Sequence, residues 1–247
     1  MLLLGLDLEC SSLDPKTGKI LEVGYCLKKV NEDRPWLLKS EFVYSKSWGD
    51  DFIPHEATLV NGIFPDHCKR FGRPLATIAK EINDLIKKHK VDYIVCHNAA
   101  FDIPYYLHHV EDLSVDHWED FKATPVICTM THVPYEPSIT TRSLSFLAAS
   151  KGFLNPFPHS ALSDVLTMFK VLDCYDINKV VEISKEPSAV YQAMVGFNDR
   201  EKAKKLSFRW CELEGKTYEK AWVKRLRNSE LEDHTARLGA PIRKIAD

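Results

Sequence analysis

Residues 2–9 read LLLGLDLE, an apolar run that ends in two carboxylates, Asp7 and Glu9. Because the apolar residues do not follow helical spacing, the run predicts a buried β-strand. Alternate side chains of a strand point to the same face, so the two carboxylates are expected to project together. Adjacent carboxylates repel each other, and a hard divalent cation such as Mg²⁺ or Mn²⁺ would relieve that repulsion. Alone, the pattern also fits a core strand that turns polar at its end.

The composition is that of a globular protein. The chain has 247 residues, of which 45% are hydrophobic and 28% are charged, and this length suits one large domain with a small appendix. The N-terminal apolar run is short and has no basic leader, so neither a signal peptide nor a membrane span is expected. Seven cysteines without C-x-x-C spacing argue against disulfides and zinc, and they favour a reducing compartment, by default the cytoplasm.

Charge is unevenly distributed along the chain. Residues 187–247 contain 13 Lys and Arg against 9 Asp and Glu, a local charge of +4, whereas the rest carries −6. An acidic body with a basic tail favours a polyanionic partner. Residues 182–188 are rich in Lys, Glu, Pro and Ser and predict a linker. We therefore expect a domain over residues 1–185 and a small basic module over residues 190–247.

Predicted strands and helices alternate through the larger domain. Residues 20–27 form a second strand after a Pro/Gly turn at 14–18, so it should pair antiparallel with the first. Further strands are predicted around residues 42–44 and over 91–96 and 126–128. Helices are predicted over 74–88, from about Ile103, and over 143–151 and 161–174. This order predicts an α/β fold, a mixed sheet flanked by helices.

Two further carboxylates lie at the ends of predicted elements. The stretch HNAAFD, residues 97–102, follows a strand and places Asp102 where sites form in open α/β sheets. The last core helix opens with HSALSD, residues 159–164, and places Asp164 beside its apolar stripe, where a carboxylate needs a partner or a metal. Simpler roles stay open, with Asp102 as a helix N-cap and Asp164 as a solvated group at a helix N-terminus.

These motifs resemble a known family. Asp7-x-Glu9, residues 97–102 and the pair His159 and Asp164 are similar, in order and interval, to the three motifs of the DEDDh, or proofreading-subunit-like, 3′–5′ exonucleases. The resemblance covers roughly residues 1–180. The stretches ILEVG at 20–24 and RSLSFL at 142–147 are similar as well. The first motif departs from the usual D-x-E-T-T-G-L, because Cys10 stands in place of a threonine near the substrate.

The resemblance implies a ribonuclease H-like fold and a metal-dependent hydrolase that releases nucleoside 5′-monophosphates. Single-stranded or frayed DNA 3′ ends are the expected substrate, with RNA 3′ ends as the alternative. A non-catalytic nucleic-acid-binding scaffold is the alternative of another class. Asp7, Glu9, Asp102 and Asp164 would hold two divalent ions, Mg²⁺ or Mn²⁺, with Asp7 bridging them. His159 would be the general base, because imidazole titrates near neutral pH.

Partners and substrate contacts are also expected. A polymerase or another replication or repair protein is a partner that the resemblance allows. Leu13 would wedge against the terminal base, and other residues near the motifs would line the groove for the strand. The candidate contacts in the larger domain are Leu8, Cys10, Leu13, Asn98 and Phe101. Core packing is the alternative role for Phe101.

The C-terminal module is predicted to be a strand, a helix and a strand. The strands cover residues 193–197 and 220–226, and an N-x-x-E cap at 198–201 opens the helix. Lys and Arg side chains interleaved with tryptophans would contact a phosphate backbone and stack on a base. The candidate contacts are Lys202, Lys205 and Arg209, near Trp210 and Trp222. A small core formed by the two tryptophans is the alternative.

Overall fold

The computed structural model describes residues 1–49, 52–111, 113, 118–136, 138–213 and 220–246. The chain divides into two compact units, residues 1–184 and residues 185–247. Each unit has its own sheet and its own buried hydrophobic core. All seven cysteines are free thiols. In the described part of the chain, no helix is both long enough and apolar enough to cross a membrane.

The first unit is built on a five-stranded mixed sheet. Its strands are β1 (Leu2–Cys10), β2 (Ile20–Lys29), β3 (Leu37–Phe42), β4 (Tyr93–Cys96) and β5 (Val126–Cys128). They lie in the order β3-β2-β1-β4-β5. β2 is antiparallel to β1 and β3, whereas β4 is parallel to β1 and β5. The predicted mixed sheet and the antiparallel pairing of its first two strands are confirmed.

Helices flank this sheet. They are α1 (His55–Asn61), α2 (Pro65–Phe71), α3 (Leu75–His89), α4 (Ala99–Glu111), α5 (Glu119–Ala123), α6 (Thr129–His132), α7 (Leu144–Ser150), α8 (Ala161–Leu172) and α9 (Ile177–Ser184). The long helices α3 and α8 follow the apolar spacing from which they were predicted. The short helices α1, α2, α5 and α6 and the helix α9 carry too few periodic residues for that signal.

β1 is the central strand and packs on both faces. Its even-numbered leucines point into one hydrophobic core, and Leu3 points into the other. Gly5, Asp7 and Glu9 share the face of Leu3, because side chains alternate along a strand. A Cβ on Gly5 would lie 2.5 Å from the Phe169 ring of α8, so α8 lies directly on this face. The strand that carries Asp7 and Glu9 therefore runs beneath α8.

Two predicted elements of the first unit are displaced. The strand expected around residues 42–44 is β3, which ends at Phe42; it is a largely exposed edge strand and shows no apolar run. The helix expected from about Ile103 begins at Ala99, because Asn98 takes a φ of 94° and turns the chain into the helix at once. Pro104 therefore lies inside α4, and Asp102 lies in its first turn rather than at its N-cap.

The second unit is a four-stranded antiparallel sheet with two helices. Its elements are β6 (Ser188–Ala193), α10 (Arg200–Lys205), β7 (Arg209–Glu212), β8 (Lys220–Arg227), α11 (Leu231–Leu238) and β9 (Ile242–Ala246). The strand order is β7-β8-β6-β9. The helices pack through Ala203 and Leu238 against Tyr191 and Leu226 of the sheet. The predicted strand–helix–strand appendix is thus the central part of a larger module.

The first strand of this module lies earlier in the chain than predicted. The strand expected over residues 193–197 is β6, which ends at Ala193. Its inward positions include Ala189 and Ala193, whose short side chains gave a weak strand signal but are almost fully buried. The linker expected over residues 182–188 overlaps the end of α9 and the start of β6. Burial on one face, rather than strong strand propensity, defines β6.

Candidate active site

A cleft with a volume of about 720 Å³ opens at the carboxyl ends of β1 and β4. All the residues predicted for the chemistry line this cleft: Asp7, Glu9, Asp102, His159 and Asp164. The predicted substrate contacts Leu8, Cys10, Leu13, Asn98 and Phe101 line it as well. Phe101 also packs against the hydrophobic core, so both roles considered for it are compatible. The structure thus brings together residues from three distant stretches of the chain.

The remaining predicted contacts belong to the second unit. Lys202 and Lys205 lie on α10 and Arg209 begins β7, and all three are exposed. Lys202 forms an ion pair with Asp199 at 2.9 Å. Trp210 and Trp222 pair across β7 and β8 with ring centroids 5.4 Å apart. Trp222 packs partly on the core of this unit, as in the alternative considered for the two tryptophans, whereas Trp210 is 54% exposed.

Gly24 of β2 seats the beginning of α8. It is the partner of Asp7 in the antiparallel ladder. A Cβ on Gly24 would lie 2.3 Å from backbone atoms of Ala161 and Leu162, a distance that real side chains do not allow. Only glycine therefore lets the N-terminus of α8 approach the sheet this closely. The close approach places the first turn of α8, with its carboxylate Asp164, above the end of β1.

Glu22 of β2 holds the same helix end electrostatically. This carboxylate is only 3% exposed. Its Oε2 accepts a hydrogen bond from the backbone N–H of Ala161 at 3.1 Å, and its Oε1 accepts one from the Ser40 hydroxyl at 2.5 Å. A carboxylate at the N-terminus of a helix satisfies an otherwise unpaired N–H and complements the helix dipole. Glu22, which lies in the stretch 20–24 that is similar to the family, therefore has a structural role that sequence analysis did not assign.

The carboxylate of Asp164 is held in place by Asn155, which sequence analysis missed. The Asn155 amide donates a hydrogen bond to Oδ1, and the backbone N–H of His159 donates one to Oδ2 at 3.2 Å. The Ser163 hydroxyl donates to Asn155 Oδ1 at 2.7 Å, which determines the orientation of the amide. Asn155 lies outside the recognised motifs, so no spacing signal pointed to it.

Glu9, His159 and Asp164 form a compact cluster. Each side chain offers one ligand atom, and these atoms all lie within 4.8 Å of one another. Glu9 is buried, Asp164 is half-buried and His159 is exposed to the cleft. The backbone of His159 has a φ of 61°, an uncommon conformation for a residue other than glycine. The imidazole therefore lies beside the carboxylates and is open to a ligand in the cleft.

Burial raises the pKa of all four carboxyl groups that line the cleft near His159, and repulsion between carboxylates adds to it for Asp7 and Glu9. Burial, followed by the charge of Asp164, raises the pKa of Glu9 to about 8. Burial, followed by the charges of Asp102 and Asp164, holds the pKa of Asp7 well above its ordinary value. Burial raises the pKa of Asp102 to about 7 and also raises that of Asp164. Nearby positive charge would favour ionisation of all four groups.

The surroundings of the Asp102 carboxylate also favour a bound cation. Asp102 is only 2% exposed, and its Oδ2 has no hydrogen-bond partner among the described residues. A buried carboxylate oxygen is costly without a donor or a cation. Four carboxylates and an imidazole are a donor set that suits divalent ions such as Mg²⁺ or Mn²⁺. The residues present therefore fit a divalent-metal site.

Other residues shape the walls of the cleft. His97 is half-buried and contacts both the start of α6 and the segment before α7, with Nδ1 2.7 Å from Thr129 Oγ1 and Nε2 2.7 Å from the carbonyl oxygen of Arg142. Burial lowers the pKa of His97, so the ring is neutral and structural. Burial also raises the pKa of the Cys10 thiol, which makes it a poor nucleophile. Asn61 of α1 donates to the Cys10 carbonyl at 3.4 Å.

A cluster of buried carboxylates beside a histidine, at the carboxyl edge of a ribonuclease H-like sheet, defines a nuclease of the DEDDh type. A family model described as Exonuclease, RNase T, matches residues 4–172. The chain therefore belongs to this exonuclease family. The predicted family and the predicted enzyme class are confirmed, and divalent metal ions are the cofactors of the family. Among curated protein sequences, none matches the chain.

Solved structures support the same fold. The nuclease domain of 3′hExo, a DEDDh family member bound to rAMP, is 12% identical with a TM-score of 0.58, and the match covers 70% of this chain and 90% of that one. Escherichia coli Exonuclease I in complex with a dA16 oligonucleotide is 13% identical with a TM-score of 0.62, and the match covers 97% and 68%. At these identities the similarity concerns the fold.

Proposed function

We propose that this chain is a metal-dependent 3′–5′ exonuclease that degrades single-stranded or frayed DNA 3′ ends to nucleoside 5′-monophosphates. The observation that carries the proposal is the cluster of Glu9, His159 and Asp164, whose ligand atoms lie within 4.8 Å of one another. Asp7 and Asp102 line the same cleft. The unpartnered buried oxygen of Asp102 and the raised pKa values of the acids support a cationic occupant.

Each of the five residues has a role in this proposal. Asp7, Glu9, Asp102 and Asp164 would hold two divalent ions, Mg²⁺ or Mn²⁺. Such ions stabilise the negative charge that develops on the phosphoryl group and on the leaving 3′-oxygen. His159 would accept the proton of the attacking water, because it is open to the cleft and adjoins two of the carboxylates. The hydrogen bonds from Asn155 and His159 to Asp164 keep that carboxylate oriented.

The walls of the cleft would position the 3′ end. Leu13 is 85% exposed and lines the cleft, so it suits a wedge against the terminal base. Asn98 and Phe101 would contact the strand, and Leu8 and Cys10 would line its path. DNA is favoured because the similarity to Exonuclease I, a structure with a DNA oligonucleotide, extends over 97% of this chain. RNA is the alternative, supported by the rAMP bound to 3′hExo.

An oligonucleotide assay tests this proposal. DNA and RNA of the same sequence, labelled at the 5′ end, are incubated with Mn²⁺ or Mg²⁺ and resolved by length. We expect a ladder that shortens from the 3′ end, 5′-monophosphate products, faster cleavage of DNA, and none by Asp7→Ala. Asp84→Ala, which removes an exposed carboxylate of α3, should cleave normally. Binding without cleavage would support the scaffold alternative, and faster cleavage of RNA would support the ribonuclease alternative.

The rest of the proposal concerns organisation. Residues 1–185 would be the exonuclease domain and residues 190–247 a small basic module, with Lys202, Lys205 and Arg209 as candidate phosphate contacts. The cytoplasm is the proposed compartment, and a polymerase or a repair protein is a proposed partner. Co-purification of the tagged full-length chain from cells, with nuclease treatment to remove bridging nucleic acid, tests the partner proposal.

A further inference from the structure

The sheet of the second unit packs one face on its two helices and presents half-buried and exposed side chains on the other. Ala189, Tyr191 and Leu226 point toward α10 and α11 and form its core. Because side chains alternate along a strand, the residues between them point the opposite way. The outward positions of the central part are Arg209 of β7, Val223 and Arg225 of β8, Val190 and Gln192 of β6, and Arg243 of β9. We call this set the arginine face.

The strand register arranges the arginine face in rows. Arg209, Val223, Gln192 and Arg243 form one row across all four strands. At about 4.8 Å between neighbouring strands, Arg209 and Arg243 stand roughly 14 Å apart at their Cα atoms. Arg225 lies two residues from Val223 on β8, roughly 7 Å along the strand. The three arginines therefore lie at separate positions on the same face of the sheet.

Two arginines of the arginine face, Arg209 and Arg243, have no acidic neighbour on the sheet itself. No outward position on the four strands carries an acidic residue. Arg209 and Arg243 are exposed, and within the described part of the chain neither forms an ion pair. Arg243 instead donates a hydrogen bond to the neutral Gln192 side chain at 2.7 Å. Both guanidinium groups thus present an uncompensated positive charge to solvent.

The helical side of the same unit differs in this respect. There three exposed cations have acidic partners one turn away: Lys202 with Asp199 at 2.9 Å, Lys204 with Glu201 at 2.8 Å and Arg237 with Asp233 at 3.2 Å. These three charges are compensated locally, whereas those of Arg209 and Arg243 are not. Even Arg227, at the end of β8, is paired with Glu230 at 2.8 Å.

We propose that the arginine face binds the phosphate backbone of a single-stranded nucleic acid. The planar guanidinium group matches phosphate oxygens in a bidentate arrangement, and the neutral side chains of Val190, Gln192 and Val223 leave the surface flat enough for a strand to approach. The proposal places the phosphate contacts on the sheet side of the module, opposite Lys202 and Lys205 of α10. The inference rests on the proposed function in one respect, since the bound strand would be the substrate.

Binding without hydrolysis tests the arginine face. The full-length chain in chelator is titrated against fluorescent oligo-dT of about 20 nucleotides at several salt concentrations. A single-strand contact contributes about 0.7 to the slope of log affinity against log salt. We therefore expect the double variant R209Q/R243Q to lower the slope by about 1.4. Between 1 M and 0.1 M salt, the affinity of the wild type should then rise about 25-fold more than that of the variant. R209K/R243K, which keeps the charges, should retain most of the slope.

The matched control is K204Q/R237Q, which removes the same charge from the helical side of the unit. Its affinity and its nuclease activity should equal those of the wild type. Circular dichroism and melting curves exclude unfolding as the cause of any loss. The proposal would be overturned if R209Q/R243Q and K204Q/R237Q lost affinity equally, or if K202Q/K205Q alone lost affinity. It would also be overturned if polyglutamate displaced oligo-dT as readily as unlabelled oligo-dT does.

The same preparation separates this proposal from the proposed function. Wild type with Mn²⁺ is given a small substrate, the p-nitrophenyl ester of thymidine 5′-monophosphate. A wild type that binds oligo-dT through the arginine face but hydrolyses nothing would contradict the exonuclease proposal and leave the arginine face intact. A wild type that hydrolyses the ester while R209Q/R243Q keeps the full salt slope would contradict the arginine face alone.

Discussion

At the scale of single residues, the carboxylates of the cleft oppose folding when no cation is present. Glu9 is the clearest case, because burial and the charge of Asp164 raise its pKa to about 8. The unfolded chain loses the same proton near the ordinary glutamate value of 4.5. Between these two values the folded state must keep a proton that the unfolded state releases. The free energy of unfolding therefore falls as the pH rises from about 4.5 to about 8.

Glu9→Gln should flatten this pH dependence. In chelator, urea unfolding at about pH 5, 6.5 and 8 should show the wild type losing stability while the variant loses less, with a gap of roughly 1–3 kcal/mol at the highest pH. The slope will not vanish, since Asp7 and Asp102 have raised pKa values as well. Asp84→Asn serves as the control. Parallel curves for Glu9→Gln and wild type would contradict this account of the cleft.

Asn155 is a positioning residue rather than a ligand. Its amide donates to Asp164 and is itself oriented by Ser163, so Asn155→Ala should let the carboxylate rotate. Groups that orient a metal ligand are typically worth 10–100-fold in metal affinity. We expect Asn155→Ala to raise the Mn²⁺ concentration needed for half-maximal cleavage about 10-fold, with much of the rate restored at saturating Mn²⁺. Asn178→Ala on α9 is the control, and equal Mn²⁺ curves for the two variants would refute the role.

At the scale of elements, the position of α8 decides whether the carboxylates meet. The helix can lie on the sheet only because Gly24 has no side chain at the point of contact, 2.3 Å from the backbone of α8. Gly24→Ala must push α8 away or distort β2. We expect a loss of about 2–4 kcal/mol in unfolding free energy and loss of cleavage, because Asp164 moves with the helix.

The control for this change is Gly49→Ala. A Cβ at Gly49 meets nothing within 4 Å, and its stability should change by less than about 0.5 kcal/mol. Urea unfolding and the oligonucleotide assay measure both effects. A Gly24→Ala variant that keeps the wild-type stability and rate would show that α8 is not positioned by this contact.

The elements also show what the sequence could predict. β1, β2, α3 and α8 were predicted because they bury runs of apolar residues. Asp7 and Glu9 were found at the end of β1, and Asp102 was found just after the strand that became β4. β3 and β6 were misplaced, since their bounds come from pairing with a neighbour rather than from their own composition. Glu22 had no assigned role because its partner, the N–H of Ala161, is 139 residues away in the sequence. Asn155 had none because it lies outside the recognised motifs.

At the scale of the whole molecule, the two units should respond to pH in opposite directions. The cleft of the first unit loses stability as the pH rises in chelator, as argued for Glu9. The second unit contains the buried His234, which is 9% exposed. Its Nε2 lies 2.9 Å from Lys224 Nζ, and its Nδ1 lies 2.9 Å from the Glu230 carbonyl oxygen. A neutral ring that accepts from Lys224 and donates to Glu230 satisfies both contacts.

Acid should therefore destabilise the second unit. Burial, followed by the charge of Lys224, lowers the pKa of His234, although Glu230 and Asp233 oppose the shift. The unfolded chain takes up a proton near the ordinary value of about 6.5, whereas the folded unit resists it. The contribution of His234 to the free energy of unfolding is complete above about pH 6.5. It declines as the pH falls from there toward the lower pKa of the folded state. Below the folded pKa the loss is complete and the curve levels off.

Hydrogen exchange with mass spectrometry can follow both units in one sample, because peptides from residues 1–184 and 185–247 are resolved. In chelator, lowering the pH from about 7.5 to about 5.5 should raise the opening free energy of the first unit and lower that of the second. His234→Gln, which keeps a neutral polar side chain, should remove most of the decline in the second unit and leave the first unit unchanged. Opening free energies that move in the same direction in both units, or a decline that survives in His234→Gln, would contradict this prediction.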